Sequence, residues 1–472
     1  MKINPYIFRG YDIRGIAGKD LDAEIVKQIG KAYGTWLLNH EIGSAVVGSD
    51  CRISSEEYRQ AIIEGIVSTG VDVYDIGMSL VQIVYFAQYH FNTKGAVMVT
   101  ASHNPAEYNG FKIADGFSST MGTKEIIEIR DMAIKDEFKI GQGNVFKENI
   151  TEAYFNKLLE KVSIKKGFKI AVDYNNGTSA SFFPQLAEKI GAEVVAFNEQ
   201  IDGNFPNGTP DPTEKKLVDR LAKETFESKA DVGMTFDADG DRIGLVDDKG
   251  KVIWNDLLVA IFAADVLDSN PGEKIVYNAL CSRIVDETIR SKGGQPIMWT
   301  TGHSWIKAKL KEEKAMFAGE LSGHFFFVDK FYGHDDGFYA ALRLLEYLSR
   351  KGKTFSEVIA EFPQYISSPE IKISCSDETK AAVVERIKAK VMERFSGEKI
   401  DDIDGVRVDF SDGMFIIRFS QNGPYLSPKF EAKTPERYEE MRKIVLGLLK
   451  EEKDVDLSSG INLESLIPEV PS

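Results

Sequence analysis

The sequence predicts an α/β protein: three related mixed α/β domains followed by a separate C-terminal α+β domain. Three observations predict it. A plan of apolar strand, polar turn, helix, glycine and second strand occurs three times, beginning at residues 45, 169 and 274. Short β-branched strands alternating with helices are the signature of parallel βαβ units. From about residue 369 the order changes to strands joined by hairpin chemistry with two helices, which is α+β order. A chain of 472 residues exceeds what one hydrophobic core holds, so repetition at this spacing means separate domains. We place them at residues 1–150, 151–254, 255–367 and 368–472.

The first copy runs from Ala45-Val46-Val47-Gly48 through a helical pattern at 56–67 and Gly70 to Val71-Asp72-Val73-Tyr74. The second runs from Lys169-Ile170-Ala171-Val172 through 179–189 and Gly191 to a strand at 193–197. The third runs from Lys274-Ile275-Val276-Tyr277 through 282–291 and Gly293-Gly294 to Pro296-Ile297-Met298-Trp299. In the last domain we read a strand at 370–375, a helix at 378–395, and strands at 406–410 and 414–419 around Ser411-Asp412-Gly413, a hairpin turn. A strand at 425–431 and an amphipathic helix at 435–449 follow. The tail, 450–472, is charged with one apolar cluster at 463–467, and either frays or docks on a neighbouring domain.

Composition excludes several classes. The net charge of −15 opposes binding to nucleic acid or anionic membranes, where affinity rests on phosphate neutralisation. It permits a small phosphorylated substrate, which needs only a few convergent cations. The longest apolar run, 257–267, is interrupted by Asp265 and falls short of the roughly 20 residues a membrane span needs. The first six residues lack a signal-peptide pattern. Three scattered cysteines (Cys51, Cys281, Cys375) suggest neither a disulfide framework nor a thiolate metal site. The cytoplasm is the default compartment.

Four polar motifs carry candidate chemistry. Thr100-Ala101-Ser102-His103-Asn104-Pro105 follows a strong strand at 95–99, and ligands of open α/β sheets bind at strand C-termini. Ser102 with His103 and Lys112 nearby suits a nucleophile; the same residues suit a strand-ending turn. A serine-hydrolase elbow, Gly-x-Ser-x-Gly, is absent. Asp237-Ala238-Asp239-Gly240-Asp241-Arg242 sets three carboxylates on alternate residues. They repel unless a cation joins them, and oxygen-only ligation suits Mg²⁺ or Ca²⁺. An EF-hand fails, because Arg242 stands where the loop needs glycine and the flanks read as strands; a solvated acidic turn stays open. Gly319-Glu320-Leu321-Ser322-Gly323-His324 projects polar side chains from an extended loop, a set able to hydrogen-bond vicinal hydroxyls. The loop Thr301-Gly302-His303-Ser304 adds donors. Arg418-Phe419-Ser420-Gln421-Asn422-Gly423-Pro424 resembles a phosphate cradle, though most such turns are only turns.

Taken in order, these motifs resemble the α-D-phosphohexomutase family, in its phosphomannomutase/phosphoglucomutase branch, over nearly the whole chain to about residue 449. Phe8-Arg9-Gly10-Tyr11-Asp12-Ile13-Arg14-Gly15 resembles the family's N-terminal signature. The Ser102, Asp237–Asp241 and Glu320 motifs resemble its phosphoserine, metal and sugar loops. Asp202-Gly203-Asn204-Phe205-Pro206 and Pro210-Asp211-Pro212 resemble a stretch the family carries before its metal loop.

The resemblance implies four domains around a central cleft, the fourth mobile. It implies interconversion of hexose 1-phosphate and hexose 6-phosphate through phospho-Ser102 and a bound hexose 1,6-bisphosphate, which also serves as activator. Mg²⁺ is implied on Asp237, Asp239, Asp241 and a Ser102 phosphate oxygen, neutralising developing charge. Arg14, Lys112 and Arg242 are placed around the transferring group, with His103, Lys112 or donors linked to Arg14 moving protons. Tyr11, Thr301, Gly302, His303 and His324 are expected to contact substrate, Glu320 and Ser322 to hold the sugar's O3 and O4. Arg418, Ser420, Gln421 and Asn422 are expected to hold its resting phosphate. Closure of the fourth domain would exclude water. The expected state is a monomer or small homo-oligomer.

Two positions depart from the family pattern. Gln421-Asn422 replaces Asn-Thr, and Leu280 replaces a lysine that orients substrate. Alternatives are phosphoglucosamine mutase, opposed by Leu321 where that branch carries glutamine, and a glucose-only phosphoglucomutase, opposed by the Gly323-His324 ending. A catalytically silent sugar-phosphate-binding member and a phosphatase complete the set.

Overall fold

The computed structural model describes residues 3–165 and 167–468; the end of the expected tail, 469–472, lies outside them. The chain divides into two compact units. One comprises Met1–Pro212, Leu221–Gly250 and Lys330–Lys351; the other comprises Thr213–Arg220, Lys251–Asp329 and Gly352–Ser472.

The first unit's first sheet contains β1 (Ile13–Ile16), β2 (Ser44–Ser49), β3 (Asp72–Met78), β4 (Gly95–Val99), β5 (Tyr108–Gly116), β6 (Ser119–Thr120) and β7 (Val145–Lys147). The order is β1-β5-β4-β2-β3-β7, with β6 on β5. β2 pairs in parallel with β3 and β4, as the first repeat predicts. β5 returns antiparallel along β4, and β1 along β5. β4 is buried throughout, which is why its sequence is continuously apolar rather than alternating. Val47, Val97 and Ile113 share a core with Ile29 of the helix Ala23–Asn39 and Ile62 of the helix Ser55–Val67.

The same unit holds β8 (Lys169–Asp173), β9 (Glu193–Phe197), β10 (Val232–Phe236) and β11 (Ile243–Val246). β8 is parallel to β9 and β10, while β10 and β11 are antiparallel. The acidic motif is therefore the turn between β10 and β11. The helix Gly337–Lys351 also packs in this unit, its Phe338 ring meeting Phe183 and Phe236 edge-on.

The second unit contains β12 (Val252–Ile253) and the helix Asn255–Ser269. That helix carries the longest apolar run and is buried along most of its length; Phe262 packs against Phe317, Phe325 and Phe327. No helix among the described residues is long and apolar enough to cross a membrane. The adjoining sheet consists of β13 (Lys274–Asn278), β14 (Gln295–Trp299), β15 (Phe317–Gly319) and β16 (Phe325–Phe327), in the order β14-β13-β15-β16. The βαβ pair β13–β14 is parallel, and the Glu320 loop turns the antiparallel hairpin β15–β16.

The last sheet contains β17 (Ile366–Ser367), β18 (Lys372–Ser374), β19 (Lys399–Asp401), β20 (Val406–Asp409), β21 (Gly413–Phe419), β22 (Tyr425–Ala432) and β23 (Asp456–Ile461), in the order β19-β20-β21-β22-β18-β23, with β17 on β22. The helices Lys380–Arg394 and Pro435–Lys450 contribute Val383, Ile387, Met441 and Val445 to its core. The tail docks within this domain: β23 pairs with β18, and Leu463 and Leu466 enter the core.

Two predictions follow from the packing. Gly110 of β5 faces Arg14 of β1 in register, and a Cβ there would overlap the Ile13 carbonyl oxygen. Backbone cannot swing aside as a side chain can, so Gly110→Ala is expected to destabilise the protein by about 1–3 kcal/mol in urea denaturation. The second concerns Asp336, which caps the helix Gly337–Lys351 by accepting the Tyr339 N–H at 2.8 Å and takes the Tyr154 hydroxyl on both oxygens at 2.9 and 2.8 Å. Burial pushes its carboxyl up to about 7, against the pull of those hydrogen bonds. The folded state then binds the proton more tightly than the unfolded chain, whose carboxyl titrates near 3.9. Its stabilising contribution is full below about pH 4 and lost as pH rises to about 7. Between pH 5 and pH 8 the wild type should lose about 2.6 kcal/mol relative to Asp336→Asn, measured by urea denaturation of both proteins at each pH.

Candidate active site

In the first unit, the end of β4 delivers Ser102 in an unusual backbone state. Its φ is +50°, a left-handed conformation that costs a residue with a Cβ roughly 1–2 kcal/mol. The Ser102 N–H donates to Thr100 Oγ1 at 2.8 Å, which helps hold the turn. The buried Ser102 hydroxyl donates to Asp237 Oδ2 at 2.8 Å and lies 3.3 Å from His103 Nδ1.

Asp237 opens the turn between β10 and β11. Gly240 takes φ +79°, and its N–H returns to the Asp237 carbonyl at 3.2 Å. The helix Val81–Phe91 supports the turn from its first residues: Val81 N–H donates to the Asp239 carbonyl at 3.0 Å and Gln82 Nε2 to the Gly240 carbonyl at 2.9 Å. Asp237, Asp239 and Asp241 are all buried, each offering an oxygen within 4.8 Å of the others'.

Three carboxylates here face two nearby cations. Lys112 of β5 reaches Asp239 Oδ2 at 2.8 Å and also pairs with Asp241. Arg242 Nε lies 3.7 Å from Asp237 Oδ2, and its N–H donates to Asp237 Oδ1 at 3.1 Å. The imbalance falls on Asp237: burial, then the charges of Asp239 and Asp241, push its carboxyl well above the ordinary range. Burial works upward on Asp239 too, but Lys112, a hydrogen bond with Asp237 and the Arg242 charge together outweigh it and hold that group at about 2. Asp239 Oδ1 is buried with no hydrogen-bond partner. An orphaned carboxylate oxygen beside two further carboxylates fits a hard divalent cation, which would supply the missing positive charge.

Arg14 borders this cluster. Its Nε donates to Asp12 Oδ2 at 2.8 Å and its Nη1 to Asn104 Oδ1 at 2.8 Å, tying β1 to the Ser102 loop. Tyr11 is buried beside it. The structure thus brings Ser102, His103, Lys112, Arg14, Arg242 and the three aspartates to one locus.

In the second unit, Glu320 Oε1 accepts the Gly302 N–H at 2.8 Å, joining the loop after β14 to the β15–β16 turn. Gly323, at φ +94°, closes that turn by donating its N–H to the Glu320 carbonyl at 3.0 Å. His303 and His324 stack with ring centres 5.3 Å apart, and Ser322 is half-buried in the turn. Arg418 Nε donates to Asp404 Oδ2 at 2.8 Å, and the same oxygen accepts the Thr301 N–H at 2.9 Å. One carboxylate therefore joins the Arg418 loop to the Thr301 loop. Ser420 Oγ accepts the N–H groups of Asn422 at 3.2 Å and Gly423 at 3.1 Å; Gln421 is exposed and Asn422 half-buried. Leu280 is buried, and Arg407 donates to the carbonyls on either side of it, Ala279 at 2.7 Å and Cys281 at 2.6 Å.

Sequence reasoning assigned no role to Asn104 or Asp404. Asn104 lies inside the serine motif, and the Arg14 contact gives it a purpose that motif position alone does not. Asp404 precedes Gly405, at φ +81°, and reads in sequence only as turn chemistry.

Three family profiles match the chain: phosphoglucomutase/phosphomannomutase α/β/α domain I over residues 5–140, domain II over 152–250 and domain III over 254–365. A phosphomannomutase/phosphoglucomutase of Pseudomonas aeruginosa is 40% identical over 94% of this chain and 95% of its own. A phosphoglucomutase of Neisseria meningitidis serogroup B is 38% identical over 92% of this chain and 95% of its own. Among solved structures, a phosphoglucomutase/phosphomannomutase family protein from Burkholderia thailandensis superposes with a TM-score of 0.88 at 34% identity, covering 95% of this chain and 98% of that one.

The charge imbalance makes a direct prediction. Protein stripped with EDTA should gain roughly 2–4 °C in melting temperature when a divalent cation is added well above its dissociation constant. Asp239→Asn should lose that gain. An equal gain in the variant would place the cation elsewhere.

Proposed function

The chain belongs to the phosphoglucomutase/phosphomannomutase family of α-D-phosphohexomutases, and on that premise we propose that it interconverts the 1- and 6-phosphates of mannose and glucose through a phosphoserine at Ser102. The observation that carries this reading is the Ser102 hydroxyl, hydrogen-bonded at 2.8 Å to Asp237 within a buried group of three carboxylates. A serine so placed sits beside carboxylates that would hold a divalent cation and beside Lys112 and Arg242, and phosphoryl transfer depends on positioning and on positive charge of this kind.

In the forward half-reaction, the phosphorus–oxygen bond to Ser102 breaks as one forms to the free hydroxyl of a hexose monophosphate. The hydroxyl proton leaves to a base, and the departing Ser102 oxygen is protonated. The product of this step is a bound hexose 1,6-bisphosphate. After the sugar turns over, its other phosphate returns to Ser102 by the reverse chemistry, so atoms and charge balance over the cycle. A trace of hexose 1,6-bisphosphate acts as activator by charging any unphosphorylated serine.

Asp237, Asp239 and Asp241, with the phosphorylated Ser102, would hold Mg²⁺, which would supply charge neutralisation at the transferring group. Arg14, Lys112 and Arg242 add fixed positive charge around it. We assign the proton transfers to His103, whose Nδ1 lies 3.3 Å from Ser102 Oγ, because the Lys112 ammonium is engaged by two carboxylates. Glu320 and Ser322 hold the sugar's O3 and O4, which glucose and mannose share in configuration. Tyr11, Thr301, Gly302, His303 and His324 complete the substrate contacts, and Arg418, Ser420, Gln421 and Asn422 hold the phosphate that is not reacting.

A coupled assay with Mg²⁺ and a trace of glucose 1,6-bisphosphate tests this directly. Mannose 1-phosphate and glucose 1-phosphate should both turn over, glucosamine 1-phosphate poorly. Ser102→Ala should lower kcat by roughly a thousandfold or more. Release of inorganic phosphate without isomer, or turnover untouched by Ser102→Ala, would overturn the reading.

A further inference from the structure

Two stretches have no role in the chemistry above: Asp50-Cys51-Arg52, after β2, and Asp202-Gly203-Asn204-Phe205-Pro206. The fold brings the first against the Ser102 loop and the second against the first. β2 runs parallel beside β4, so the residues leaving one strand end lie next to those leaving the other.

Arg52 is 3% exposed, and every N–H of its guanidinium has an acceptor. Nη2 donates to the carbonyls of Ser102 and Asn104, both at 2.7 Å. Nη1 donates to those of Pro105 at 2.7 Å and Tyr108 at 3.0 Å. Nε donates to Asp50 Oδ2 at 3.2 Å. Four of the five donors thus go to the main chain of residues 102–108, the loop carrying the nucleophile and the first residue of β5. Asp50 closes the circuit by accepting the Thr100 hydroxyl at 2.7 Å, and Thr100 Oγ1 accepts the Ser102 N–H.

Phe205 braces the other side. Its ring lies 5.1 Å from the Arg52 guanidinium carbon, a cation–π distance. Gly203 packs so closely on residues 51–53 that a Cβ would come within 2.6 Å of the Cys51 carbonyl oxygen and 2.7 Å of the Ile53 nitrogen. The Asp202–Pro206 motif thereby acquires a physical purpose.

We propose that Arg52, braced by Asp50 and Phe205, is the positioning residue for Ser102. It holds the loop carbonyls so that the serine keeps its left-handed backbone and aims its oxygen at Asp237. A left-handed non-glycine residue persists only where its surroundings over-determine it, and the guanidinium fork provides that. Lysine cannot substitute, having three donors on a point charge and no planar fork. The kinetic part of this inference rests on Ser102 carrying the phosphoryl group.

The test compares Arg52→Lys, Phe205→Leu and Phe205→Tyr with the parent, reading kcat, KM for glucose 1-phosphate and amide hydrogen exchange of the peptide covering residues 100–110. Arg52→Lys should lower kcat about a hundredfold, the effect of a nucleophile misplaced by about 1 Å, with KM little changed. Its 100–110 amides should exchange faster while second-unit peptides do not. Phe205→Leu should lower kcat about tenfold, and Phe205→Tyr, which keeps the ring, should match the parent. A folded Arg52→Lys with parental kcat, or with raised KM and unchanged kcat, overturns the proposal, as does unchanged exchange in the loop. Should Arg52→Lys fail to fold, equal kcat in Phe205→Leu and Phe205→Tyr overturns it instead. If the parent itself shows no mutase activity, the functional reading fails, and the exchange data still decide whether Arg52 holds the loop.

Discussion

Three carboxylates buried within one small volume are the constraint on which the rest of the first unit depends. Asp237, Asp239 and Asp241 sit on alternate residues of one turn, away from water, and like charges so placed repel strongly unless compensated. The fold compensates them from several directions. β5 brings Lys112, the turn itself brings Arg242, and the end of β4 brings a hydroxyl donor in Ser102. Compensation is incomplete, and the residual falls on Asp237, whose carboxyl is driven upward. The excess negative charge is what a divalent cation would neutralise, so the strain of the cluster and its fitness to hold a cation have one origin.

Maintaining such a cluster requires left-handed backbone, which glycine adopts freely at 240 but which costs a residue with a Cβ, as at Ser102. Ser102 and Gly240 both adopt left-handed conformations, and each is fastened by groups from other elements. The first residues of the helix Val81–Phe91 hold the aspartate turn, while Arg52, Thr100 and Asp50 hold the serine turn. Strain of this kind persists only where packing over-determines it. The second unit follows the same logic with different chemistry. A single carboxylate, Asp404, joins Arg418 to Thr301, and Glu320 joins its own turn to Gly302.

What sequence revealed and what it hid divide along physical lines. Parallel βαβ repeats are local, and β2–β3, β8–β9 and β13–β14 pair as their periodicity predicts. The polar motifs were visible because the residue types that do this chemistry cluster within a few positions. Clamps were not. Arg52 lies 50 residues from the serine it holds, and nothing in its neighbourhood announces four carbonyl partners. Likewise β23 pairs with β18, more than eighty residues earlier, so the tail's docking could not be read from its own composition. β19, a three-residue edge strand, was passed over because so short a segment has no periodicity to detect.

The most direct test of the central claim is the mass of the protein after incubation with glucose 1,6-bisphosphate and Mg²⁺, followed by peptide mapping. The account predicts one added phosphoryl group per chain, located on Ser102 and discharged when hexose monophosphate is supplied in excess. A chain that stays unmodified, or that carries its phosphate on another residue, would contradict it.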